Sequence, residues 1–272
     1  LEEGIMRGGS PPPPEGQSTA TPGIVPQPLA EAILAGDVAR AEALISNGAC
    51  PDTELPDKRP VLFGACESDE HAAELIHVLA SHGANMDVRD GGDELTPLIV
   101  AAQRGRREIV AALLENGARA DVVELRKGRT PLLAACEGGH EGVVEELLAR
   151  ASEVPAKMPG PMGATVPYVD RGDSSGWRPL MEASVRGHTR LVQRLLDAGA
   201  DTTRLDRYGR TALMAACAEG QVEAVRLLLR TATPAEYEER KIDVLGMMDQ
   251  DGVTPLIAAV QSGKVEVVDA AV

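Results

Sequence analysis

Aromatic side chains are scarce in this chain. They make up 2% of its 272 residues, as one Trp, one Phe and three Tyr. So small a stock suits neither the apolar pocket of a small-molecule enzyme nor a base-stacking surface for nucleic acid. Positive charge is also short: 27 Lys and Arg against 42 Asp and Glu leave a net charge of −15. That balance disfavours non-specific attraction to nucleic acid or anionic membrane. No apolar run approaches membrane-spanning length, and no charged-then-apolar leader is seen. Catalytic and metal motifs are missing too. Ser262-Gly263-Lys264 lacks the upstream glycine of a phosphate loop, there is no His-Glu-x-x-His, and no closely spaced Cys/His ligand set occurs. His71, His77 and His82 fall in one stretch, but His77 and His82 lie five apart rather than four, so they read as surface or capping histidines. Cys136 and His140 read as a packed thiol and a motif histidine, not as nucleophile and base. No residue receives a catalytic, cofactor or metal assignment.

What the chain has is repetition. Leu95-Thr96-Pro97-Leu98, Arg129-Thr130-Pro131-Leu132, Trp177-Arg178-Pro179-Leu180, Arg210-Thr211-Ala212-Leu213 and Val253-Thr254-Pro255-Leu256 mark one point in five successive units. Thr96 to Thr130 spans 34 residues and Arg178 to Thr211 spans 33, the period of a helix-pair repeat. Thr-Pro suits a helix start, because the hydroxyl caps free amides and proline tolerates the first turn. Small residues follow (Ala101-Ala102, Ala134-Ala135, Ala215-Ala216, Ala258-Ala259), and Cys136 and Cys217 occupy the second small place of their units. Leu and Val then recur at spacings of three and four, as in Ile109, Val110, Leu113 and Leu114, the stripe of an amphipathic helix. Gly48, Gly83, Gly117 and Gly199 come next as left-handed helix stops. One such unit cannot bury its own apolar face, so stacking supplies the core.

The run TPLIVAAQRGRREIVAALLENGA of the third unit, TPLLAACEGGHEGVVEELLA of the fourth, the Gly139-His140 and Gly187-His188 pairs and Gly199 to Asp201 together resemble the ankyrin repeat. The family's His after Thr-Pro-Leu is replaced by Ile99, Leu133, Met181, Met214 and Ile257. The resemblance implies an all-α solenoid of stacked helix pairs with short β-hairpin-like loops over residues 28–272, in about seven repeats. The first, about Leu29 to Asp52, enters as a capping repeat would. The second carries Arg59-Pro60-Val61-Leu62 at the marked point and is stretched near Ser68 to Ala73. The seventh reaches Val272 within its expected second helix, so an incomplete repeat without a polar cap is predicted; Leu1 in place of Met points to processing or truncation at the front.

Insertions break the period near 151–170 and 231–245. The first carries proline, methionine and Tyr168 and is read as an irregular loop; the second predicts a short charged helix over Ala235 to Lys241. Both fit either tolerated loops or partner contacts. Residues 1–27 form a Pro/Gly/Ser-rich tail unable to build a core, with Pro11 to Pro14 favouring polyproline II. Four cysteines allow two disulfides arithmetically, but the placement of Cys136 and Cys217 favours buried thiols in a reducing compartment, the cytoplasm first, with an organelle interior open as well.

The resemblance also implies binding through hairpin tips and the exposed side of each first helix. On this sequence that concave strip takes Arg126, Lys127 and Arg129, then Ser174, Ser175 and Trp177, then Arg207, Tyr208 and Arg210, with Gln103, Arg104, Val185 and Arg186 beside them. It reads as a basic, aromatic-bearing strip, while Glu108, Glu115, Glu141, Glu145 and Glu146 fall on second helices. Such segregation predicts a protein partner with an acidic surface, anchored by Trp177 and Tyr208. The alternative is that the arginines pair locally with Asp173, Asp206 and Asp251. The expected function is a non-catalytic interaction scaffold, as a linker or peripheral subunit of an assembly; the alternative is a recruiting module of a larger enzyme or channel. Nucleic acid, direct membrane insertion and a homo-oligomer are not implied.

Overall fold

A computed structural model describes residues 28–68, 70–150, 158–159, 165–231 and 245–271. The proline-rich tail, the central part of the first insertion and the short helix expected at Ala235 to Lys241 lie outside the described residues. Those described form seven helix pairs: α1 (Pro28–Leu34) with α2 (Val38–Ser46), α3 (Val61–Glu67) with α4 (Ala72–Ser81), α5 (Pro97–Gln103) with α6 (Arg107–Glu115), α7 (Pro131–Gly138) with α8 (Glu141–Ala149), α9 (Pro179–Val185) with α10 (Thr189–Asp197), α11 (Ala212–Glu219) with α12 (Val222–Thr231), and α13 (Pro255–Gln261) with α14 (Val265–Ala271). First helices stack on first helices and second on second, which gives a two-layer solenoid.

The helix starts follow the expected chemistry. The hydroxyls of Thr96, Thr130, Thr211 and Thr254 accept from the backbone N–H of Ile99, Leu133, Met214 and Ile257 at 3.2–3.4 Å. Arg178 replaces the threonine of the fifth repeat and gives no side-chain cap. Leu98, Leu113, Leu132, Leu147, Leu191 and Leu195 are fully buried along the stack, each worth about 1.5–3 kcal/mol of transfer free energy. Alanines between them let neighbouring helices approach.

The first insertion leaves the repeat at the end of α8. Part of it pairs as β1 (Met158–Pro159) and β2 (Thr165–Val166), antiparallel with Met158 opposite Val166. The chain rejoins the array in a 3-10 turn over Tyr168–Asp170, where Tyr168 and Val169 are buried. Asp170 accepts from the backbone N–H of Asp201 at 3.0 Å, as Asp52 does from Asn85 at 2.9 Å and Asp87 from Arg119 at 3.0 Å. Residues 168–170 therefore belong to the repeat, and the excursion proper ends before Tyr168 rather than at Asp170.

Candidate protein-interaction surface

Between successive helix pairs the chain turns through a short finger. Fingers Asp90–Leu95, Glu124–Arg129, Asp173–Trp177, Asp206–Arg210 and Asp249–Val253 are each closed by a bond from the first residue's N–H to the last residue's carbonyl, at 2.9–3.1 Å. An aspartate at the base organises four of them, Asp90 through one bond from the Leu95 N–H at 2.8 Å and the other three through two bonds each. Asp173 Oδ1 accepts from Ser175 and Trp177, Asp206 Oδ1 from Tyr208 and Arg210, and Asp249 Oδ1 from Asp251 and Val253, all backbone N–H groups at 2.8–2.9 Å. Neighbouring fingers are joined edge to edge: Ser174 N–H donates to the Lys127 carbonyl at 2.8 Å, Arg207 to Ser175 at 2.9 Å and Gln250 to Tyr208 at 2.9 Å. The fingers of repeats four to seven thus make one continuous edge.

The expected strip residues lie on these fingers and on the ends of the first helices, but their charges are largely matched. Arg104 lies 3.6 Å from Glu67, and Arg126 lies 2.8 Å from Asp93. Arg129 holds Glu124 at 2.5 Å and Glu137 at 2.9 Å, with its side chain 18% exposed. Arg186 bonds Glu182 and lies 3.7 Å from Glu137. Arg210 binds Asp206 at 2.7 Å and stacks over the Trp177 ring at 5.0 Å and the Tyr208 ring at 5.1 Å. Trp177 is half-buried and donates its indole N–H to Glu182 at 2.5 Å. Arg207 covers the other side of Tyr208 at 5.0 Å. Arg207 and Lys127 are exposed and have no carboxylate in ion-pair reach among the described residues. Tyr208, 46% exposed, stands beside them.

The glutamates inside this network went unassigned in the sequence reading. Glu137 and Glu182 end or open first helices, and Glu124 starts a finger; none belongs to the second helices where negative charge was expected to gather. A signal existed, since Arg59 reaches Glu67 and Arg129 reaches Glu137 across the same spacing of eight residues. Beside Arg59, the hydrogen-bonded Glu67 carboxyl is held below its ordinary range. Asp206 pairs as the local alternative foresaw, whereas in the last finger Asp249, rather than Asp251, is the organising carboxylate. The second helices are also mixed in charge: Arg190 lies 3.6 Å from Glu141, Arg194 2.8 Å from Glu145 and Arg107 3.7 Å from Glu146.

A second ladder joins the repeats at the turn between their helices. His140 Nε2 lies 3.0 Å from the Gln103 carbonyl, Gln221 donates to Val185 at 3.1 Å, Lys264 to Glu219 at 3.0 Å and Arg106 to Ser68 at 3.3 Å. Each reaches a carbonyl at or just beyond the C-terminal end of the preceding first helix, where helix geometry leaves oxygens without partners. The approach requires glycine: Gly105 has φ +72, and a Cβ there would sit 2.5 Å from His140 Nδ1. His77 bonds Asn116, His82 bonds its own helix at Val78, and His71 lies near Glu74, so the three histidines of the second repeat serve separate local contacts.

All four cysteines are free thiols. Burial pushes Cys66 up to about 12 and Cys217 to about 11, and raises Cys136 further, so these three stay protonated and unreactive at neutral pH. Among the described residues no group of three or more His, Cys, Asp or Glu is arranged to hold a metal, and no helix is long and apolar enough to cross a membrane.

The family model described as "Ankyrin repeats (3 copies)" matches residues 62–158 and 165–241. The chain is 36% identical over 77 residues to "Ankyrin repeat protein nuc-2" of Neurospora crassa, a match that spans 28% of this chain and 7% of that protein. Its fold is similar to the crystal structure of the ankyrin repeat domain of Bcl-3, a member of the IkappaB protein family, with TM-score 0.71 and 22% identity over 90% of this chain and 97% of that one. The repeated Thr-Pro-Leu helix starts, the fingers, the two-layer stack and the family match agree: this chain is a member of the ankyrin-repeat family.

Proposed function

We propose that this chain is a non-catalytic scaffold that binds an acidic segment of a protein partner along the fingers of repeats four to six. Ankyrin repeats are generally protein–protein interaction modules. The observation that carries the finer reading is the finger tip of repeat six, where exposed Tyr208 stands between Arg207 and Arg210 and Arg207 lacks a carboxylate among the described residues. An aromatic ring held by guanidinium groups is the kind of rigid anchor that concentrates interface energy. Lys127, two fingers away on the joined edge, supplies a second cation. Arg129, Arg186 and Arg210 orient this surface rather than meet the partner, because their guanidinium groups are already matched.

The test is affinity capture from native extract at low salt, with wild type beside Lys127→Glu/Arg207→Glu/Tyr208→Ala. These three side chains are exposed, so the variant keeps the fold. Loss of a stoichiometric partner in the variant supports the proposal; a partner retained equally by both proteins overturns it. Within the same proposal the chain acts as a linker or peripheral subunit of an assembly. The module reading, in which the array recruits targets for a larger protein, draws support from the short share of the nuc-2 protein that the match spans.

A further inference from the structure

Two helix ends carry the same reactive dipeptide. The chain has three asparagines, Asn47, Asn85 and Asn116, and two of them are followed by glycine, Gly48 and Gly117. Asn47 caps the end of α2 and Asn116 the end of α6 in matching conformations, with φ −87 and ψ 11 at the first and φ −96 and ψ 16 at the second. Each side-chain amide donates through Nδ2 to the carbonyl four residues back, Ala43 or Ala112, at 2.8 Å. The N–H of the following glycine donates to the Ile45 carbonyl at 2.9 Å in one and to the Leu114 carbonyl at 3.2 Å in the other. Both glycines lie at positive φ, +97 and +94.

In such a pair the glycine nitrogen attacks Asn Cγ, because no side chain shields it and its φ is free to follow the closing ring. The new N–Cγ bond closes a five-membered succinimide, the Cγ–Nδ2 bond breaks, and ammonia leaves with the proton of the glycine N–H. Water then opens the ring at either carbonyl and gives aspartate or isoaspartate, and no other reagent is consumed. The attack requires the side-chain amide off its carbonyl and the glycine N–H out of its bond, so it proceeds from a locally opened helix end. The two ends differ in what holds them shut. Asn116 is half-buried, and His77 of α4 reaches it from the preceding repeat, with Nδ1 3.1 Å from Asn116 Oδ1. Nδ2 of Asn116 is committed to Ala112, so Oδ1 faces His77; an amide oxygen only accepts, and Nδ1 of His77 therefore carries the proton. Asn47 is exposed, and its Oδ1 has no partner among the described residues. We infer that Asn47-Gly48 is a self-modification site at which the first helix pair converts to isoaspartate, while His77 locks the equivalent site at Asn116. Conversion removes the donor to Ala43 and sets a carboxylate at a helix C-terminus, where the dipole is already negative, so it loosens α2.

The test holds the purified full chain in mildly alkaline buffer and follows amide loss at both positions by peptide mass spectrometry, with a sample unfolded in guanidinium beside it. The unfolded chain supplies the intrinsic rate of each pair. Relative to that rate, folded Asn47 is expected to convert about fivefold faster than folded Asn116. Equal protection at the two positions, stronger protection at Asn47, or no conversion of Asn47 overturns the proposal. His77→Ala, at an exposed position, separates the lock from general stability. It should raise conversion of Asn116 to the level of Asn47 and leave Asn47 unchanged; an unaffected Asn116, or both sites rising together, overturns the role of His77. Asn47→Asp reads the consequence. Hydrogen exchange over residues 38–46 is expected to quicken about threefold or more in this variant, and unchanged exchange there overturns the loosening of α2.

Discussion

Arg126 and Arg129 sit three residues apart on one finger, and they show how burial separates two identical charges. Arg126 and its partner Asp93 are each 63% exposed, so solvent screens the pair. Arg129 and Glu124 are 18% and 4% exposed, and the guanidinium also holds Glu137. Removing Arg129 leaves a buried carboxylate alone. Arg129→Ala is expected to destabilise the fold by about 3 kcal/mol or more, and Arg126→Ala to change it by less than about 0.5 kcal/mol, both read from urea unfolding midpoints. Equal losses would show that the finger does not seclude the Arg129 pair. This pair also marks the limit of legibility at the site. Sequence spacing placed all nine basic and aromatic positions on fingers or first-helix ends, because a strict period carries each residue to the same place. Which guanidinium groups already had a carboxylate depended on side-chain reach across turns and between repeats, as in Glu137 serving both Arg129 and Arg186.

At the scale of the element, the joint between helix pairs has the clearest chemistry. In repeats four and five it is carried by histidine. The His188 ring packs over Gly139, where a Cβ would lie 2.8 Å from Cε1. Burial, then the cation of Arg186 and with it His140, hold His188 below its usual value, while Glu182 pulls the other way. A base whose folded value is depressed favours the fold while neutral, and that contribution fades as acidification protonates the imidazole. The loss begins as pH falls through the unfolded value near 6.5. Repeat six uses Gln221 at the same place, so His188→Gln is a replacement the joint already tolerates. The variant should lose less Tm than wild type between pH 7 and pH 5. Parallel losses in the two proteins would show that His188 does not contribute to acid sensitivity.

Over the whole molecule, stability is a sum of repeat and neighbour terms, so it should fall toward any repeat with an uncovered face. Hydrogen exchange of the chain as it stands is expected to release α13 and α14 well before α7 to α12. Equal protection across these helices would show a single cooperative unit instead. The architecture itself was legible: five marked helix starts and two uninterrupted spacings place the helix pairs. The return of the first insertion was not: Asp170 stands three residues before the finger at Asp173, as Asp87 does before Asp90, but without the Gly-Ala that precedes Asp87 this spacing alone did not mark it, and the bond from Asp201 to Asp170 does. The joints add one more property. Arg106, His140, Gln221 and Lys264 all reach main-chain oxygens, which every sequence supplies. A gene that gained or lost one whole period would set two former strangers side by side with that bond still available, so the copy number of the array is free to drift over evolution while the way its members are fastened is not.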